Sequence, residues 1–103
     1  MQQYRSNRAA LSEFKSVKQM ENESLKDYFR RVRYLGDLAL SEKSLTERDQ
    51  DLRDQFLDGL FDLRLQQKLY EDETDRNFCE VLYRAQELEL IQKNSEERRT
   101  PQL

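Results

Sequence analysis

Large apolar residues recur along this chain at three- and four-residue intervals, the spacing of one helix face, and short polar stretches divide the pattern into five segments. The first, from Tyr4 to about Lys18, carries Ala10, Leu11, Phe14 and Val17 at helical spacings. A polar turn from Gln19 to Glu23 follows. Ser24 then offers an N-cap with Asp27 three residues on, where a side-chain oxygen satisfies an amide that the first helical turn leaves unpaired. The second helix is predicted to reach about Leu40. Its inward face is Leu25, Phe29, Val32, Leu35, Gly36 and Ala39, with Tyr28 on the flank, while Tyr34 and Leu38 fall on the opposite side as surface apolars. Gly36 within that face costs about 1 kcal/mol of helix propensity relative to Ala, and close approach by another helix is the compensation expected.

Ser44-Leu45-Thr46-Glu47 is a second capping box and opens a third helix with Leu45, Leu52 and Phe56 as its core stripe and Leu60 on the same line. Gly59 is placed to end that helix in the left-handed conformation, with Leu60 packing back. A shorter fourth helix spans about Asp62 to Glu71, with Leu65 and Leu69 inward. The acidic stretch 71–73 reads as a loop, and Thr74 or Asp75 as the cap of a last helix running to about Lys93. Phe78, Val81, Leu82, Ala85 and Leu88 form that helix's main stripe; Cys79, Tyr83 and Leu90 form a second, on an adjoining face. A helix with two apolar faces either lies centrally in a bundle or meets a partner. The fold class expected is all-α, a compact five-helix bundle over residues 1–93, with 94–103 a mobile polar tail.

Composition narrows the function classes. At 36% hydrophobic and 38% charged, a chain of 103 residues supports one modest core, and some apolar surface is expected to be completed by a partner. The net charge of −3 is spread without a basic block beyond Arg98-Arg99, which disfavours direct nucleic-acid binding by this segment. No apolar run is long enough for a membrane span, so no membrane partner is expected. With no His, Ser-His-Asp and Cys-His arrangements are impossible within one chain, and a single Cys79 leaves neither a Cys/His zinc site nor an internal disulfide. No glycine-rich phosphate loop exists, Gly36 and Gly59 standing far apart. The reading is of a protein that is not an enzyme and takes no cofactor or metal.

One polar cluster remains. Gln19, Glu23, Tyr28 and Arg31 surround the start of the second helix in the pattern Gln-x3-Glu-x4-Tyr-x2-Arg. On their own they read as independent surface polars beside one core aromatic. The spacing, however, resembles the major homology region of retroviral and retrotransposon Gag capsid proteins. The segment "DQFLDGLFDLRLQQKL" from Asp54 to Leu69, with its Phe-x2-Gly-Leu, is similar to Ty3/gypsy-type Gag, as is the ending "FCEVLYRAQELE" from Phe78 to Glu89, and "LSEFKSVKQ" from Leu11 suits the lead-in.

The resemblance implies a capsid C-terminal domain with a major-homology turn before its second helix, either excised from a longer Gag polyprotein or domesticated. Neither a capsid N-terminal domain nor a zinc knuckle accompanies it. It implies that Gln19, Glu23, Tyr28 and Arg31 form a structural brace, and that the domain self-associates as a homodimer and in higher capsid assembly, intracellularly in cytoplasmic particles. The implied contact helix is the third, where Gln50, Arg53, Asp54 and Leu57 lie beside the core stripe; Arg53 and Asp54 would pair reciprocally across a two-fold axis with Leu57 as apolar anchor. The competing face is Cys79, Tyr83 and Leu90. The alternative role is a domesticated oligomerisation or peptide-binding adaptor acting on a host protein, for which an apolar groove is expected.

Overall fold

A computed structural model of the chain describes residues 2–72 and 74–99, with side chains over 8–72 and 74–95. Glu73 of the acidic loop and residues 100–103 of the tail lie outside the described residues. The elements are α1 (Gln2–Ser16), α2 (Leu25–Ala39), α3 (Leu45–Asp58), α4 (Leu63–Glu71) and α5 (Phe78–Arg99), with no strand among the described residues. The helix α2 packs against α1, α3 and α5, while α4 bridges α3 and α5. An all-α bundle results, with α2 at its centre.

Being wrapped on three sides changes which face of α2 is inward. Leu25, Tyr28, Val32 and Gly36 are buried, whereas Phe29, Leu35 and Ala39 are only partly so. Tyr28, placed on the flank by the sequence pattern, is fully buried at the centre of the molecule. Its ring stacks on Phe56 of α3 with centroids 5.0 Å apart, Phe29 stacks on Phe78 of α5 at 4.1 Å, and Phe56 meets Phe78 edge-on at 5.7 Å. Four rings from three helices thus form the central packing unit, in the offset and edge-on geometries their quadrupoles favour. Gly36 permits the approach of α3: a Cβ there would lie 2.0 Å from Leu52 Cδ2 and 3.2 Å from Phe14 Cε1.

Capping explains most element boundaries. The Ser24 hydroxyl accepts from the Asp27 amide at 3.1 Å, and the Ser44 hydroxyl from the Glu47 amide at 3.2 Å. Asp62 caps α4 by accepting from the Arg64 and Leu65 amides. The start of α5 differs from expectation, because neither Thr74 nor Asp75 is its cap. The Thr74 amide donates instead to Asp72 Oδ1 at 3.0 Å, and Asp75 is exposed beside Arg53. Asn77 and Glu80 form a reciprocal box at 2.9 Å in both directions, and the Phe78 amide donates to Asp49 Oδ2 of α3 at 3.0 Å. Thus α5 begins where a carboxylate from another helix reaches its positive end. At the other end α5 continues past Lys93 to Arg99.

Two further expectations about α3 are corrected. Leu45 is 77% exposed and outside the core, because it directly follows the Ser44 cap, before the helix reaches its neighbours. Gly59 ends the helix with φ −95° rather than in the left-handed region. Its need for glycine is steric: a Cβ would lie 2.1 Å from the Tyr28 hydroxyl and 2.6 Å from the Val17 carbonyl oxygen. Leu60 is buried.

Candidate functional site: a hydrogen-bonded brace

The chain between α1 and α2 reverses direction and leaves several backbone groups without helical partners. Glu23, two residues before α2, is positioned to take one of them: its Oε1 accepts from the Met20 amide at 3.1 Å. Arg31, two turns into α2, then reaches back. Its Nε donates to Glu23 Oε2 at 2.7 Å and its Nη2 to Glu23 Oε1 at 2.8 Å, while the same Nη2 donates to the Lys18 carbonyl at 2.7 Å. This is the fork-on-fork geometry in which guanidinium and carboxylate bind most strongly. The Glu23 side chain is only 13% exposed, against 40% for Arg31, so the carboxylate depends on this partner more than the cation does. The Arg31 hydrogen bond holds the Glu23 carboxyl below its ordinary value, and the same contact raises the guanidinium.

Gln19 extends the brace to α3. Its Nε2 donates to the Glu23 carbonyl at 2.8 Å, its Oε1 accepts from the Phe61 amide at 3.1 Å, and its own amide donates to the Gly59 carbonyl at 2.8 Å. Tyr28 closes the circuit from below: its hydroxyl donates toward the Phe56 and Gln55 carbonyls at 3.0 and 3.2 Å, in the last turn of α3. Burial pushes this phenol well above its usual range, so it stays a protonated donor. Gln19, Glu23, Tyr28 and Arg31 are therefore brought together in one network, which joins the α1–α2 turn to the segment 55–61.

Sequence reasoning missed two contributors to this network and one contact at the far end of α2. Gln55 Nε2 donates to the Val17 carbonyl at 3.2 Å, a contact with no local sequence signal. Gly59, read as a helix terminator, is also the point of closest approach to Tyr28. At the far end of α2, Arg48 donates to the carbonyls of Leu40, Ser41 and Lys43, holding the turn that follows the Leu40 C-cap.

The residues proposed for contacts are scattered by comparison. Gln50 and Asp54 are exposed on α3. Arg53 is held within its own molecule, donating to the Arg76 carbonyl at 3.0 Å and facing Asp75 and Asp54 at 3.5 Å. Leu57 is partly buried against the core. On α5, by contrast, Cys79 is exposed, Tyr83 is 70% and Leu90 60% exposed, and Ile91 joins them at 50%.

Among the described residues, no group of three or more metal-ligating side chains comes together, and no helix is long and apolar enough to cross a membrane. No protein-family model matches the chain, and none of the curated proteins or solved structures compared with it matches either.

Proposed function

We propose that the chain is a capsid C-terminal-type domain of a Ty3/gypsy-like Gag protein, whose role is to self-associate in an intracellular particle rather than to catalyse a reaction. The observation that carries this reading is the brace. The Gln19, Glu23, Tyr28 and Arg31 pattern bonds to the Phe-x2-Gly-Leu segment through the Gly59 carbonyl, the Phe61 amide and the Phe56 carbonyl. Two sequence features that separately resemble the family thus form a single structural unit. That unit fixes α2 against α3 and does not involve Tyr83, Leu90 or Ile91 of α5.

The face favoured for contact is α5. Exposed Tyr83, Leu90 and Ile91 are unpartnered apolar surface, whereas Leu57 is partly committed to the core and Arg53 to the loop before α5. The second reading, an adaptor domain that receives a helix from another protein, is favoured by a groove of about 600 Å³ between α1 and α3. Tyr83→Asp and Leu57→Asp, followed by light scattering and circular dichroism, test the assignment. Tyr83→Asp is expected to lower the association state with helicity unchanged, and Leu57→Asp to lower thermal stability. Association that survives Tyr83→Asp but is lost in a fully helical Leu57→Asp chain would move the contact to α3.

A further inference from the structure

The groove between α1 and α3 exists because both helices lean on α2 and make little contact with each other. Leu11, Phe14, Ala39 and Leu40 form its apolar floor. Its walls carry opposite charge. On α1 stand Arg8 and Lys15, two turns apart, exposed and without an ion-pair partner among the described residues; on α3 stand Asp54 and Asp58. The turn 41–43 closes one end, where Lys43 reaches across to Asp51 at 2.6 Å.

The outer face of α5 carries exposed apolar and charged side chains of its own. Tyr83 and Leu90, two turns apart, form an exposed apolar line, and Ile91 is exposed further round the helix, beyond Glu87. Helical geometry places Glu80 and Glu87 along one edge of Tyr83 and Leu90, also two turns apart, and Lys93 along the other. Both acids are exposed, and Glu80 Oε1 also accepts from the Asn77 amide at 2.9 Å in the box that starts α5. Glu87 meets only Arg84 of its own helix, an exposed pair worth little in water.

We infer that the outer face of α5 in one copy seats in the α1–α3 groove of a second copy. The inference rests on the self-association reading and deepens it by naming both halves of the contact. Glu80 and Glu87 meet Arg8 and Lys15, whose two-turn spacing they share; Lys93 meets Asp54 and Asp58; and the apolar line covers Leu11 and Phe14. A second copy is the occupant favoured because the chain itself carries an exposed apolar line whose flanking charges are opposite to those of the groove walls. The two surfaces differ, so the contact is heterologous and propagates head-to-tail into rings or open chains instead of stopping at a dimer.

Charge exchange in the full chain tests this. Arg8→Glu/Lys15→Glu and Glu80→Lys/Glu87→Lys are each expected to weaken association by about tenfold or more, and an equimolar mixture of the two to restore it, since each variant's α5 face then complements the other's groove in charge. Leu90→Asp, outside the core, gives the same loss without disturbing the α5 cap. Circular dichroism monitors the fold, and sedimentation velocity reads the mass. A wild-type dimer indifferent to all three variants would overturn this contact while leaving self-association standing. A wild-type chain that stays monomeric throughout would overturn both.

Discussion

Arg31 fastens α2 to the turn before it through both oxygens of Glu23 and the carbonyl of Lys18, so its loss strands a mostly buried carboxylate. Arg31→Ala should cost about 1.5–3 kcal/mol in chemical denaturation, toward the lower end because the guanidinium itself is partly exposed. Arg31→Lys should recover only part of that, since an ammonium cannot serve both oxygens and the carbonyl in one plane. The pH dependence has a definite sign. Glu23 is depressed below its ordinary value of 4.5, so in acid the unfolded chain binds its proton first. The stability it contributes is present above about pH 4.5 and is lost as pH falls through the folded value. Glu23→Gln should flatten this part of the acid profile in parallel thermal melts. Gly59→Ala should destabilise by about 1–3 kcal/mol, because the added methyl meets the Val17 carbonyl, a backbone group that cannot swing aside. At this scale the four polar residues were legible only as a pattern of spacing, since on their own they read as separate surface polars, and neither Gln55 nor the steric demand at Gly59 was legible. Both arise from a contact with the backbone at 17–18, far away in the chain.

Helix boundaries were legible wherever capping is local. Ser24 and Ser44 each meet an amide three residues ahead, and such a bond depends only on neighbours in the chain. The start of α5 was not legible, because Thr74, Asp75 and Asn77 all qualify as caps by residue type, and the choice among them is made elsewhere. Asp72 engages Thr74 and the Arg76 side chain, and Asp49 of α3 captures the Phe78 amide. Asn77→Ala should therefore cost about 1 kcal/mol, and Thr74→Ala, whose side chain is not the cap, distinctly less in the same denaturation series. Tyr28 illustrates the same limit for faces. A helical wheel places it beside the Phe29 line, yet packing of α2 by three neighbours rotates the buried centre onto Tyr28, whose hydroxyl finds carbonyls at the end of α3.

For the whole molecule, the all-α class and the order of five helices follow from periodicity and low glycine and proline content. The groove does not, since its walls are charged residues that any solvated helix face would carry, and only the splaying of α1 from α3 sets them opposite each other. The outward line on α5 was visible as a second apolar stripe, and the structure leaves Tyr83 and Leu90 exposed. Head-to-tail docking through opposite charges predicts that association weakens as ionic strength rises, whereas a contact dominated by apolar burial alone would not. The measurement that bears most directly on the account is sedimentation equilibrium of the unmodified chain across a wide concentration range. Reversible growth of the weight-average mass above the 12.5 kDa monomer is the predicted result. A mass that stays at the monomer value up to the highest concentrations would contradict it.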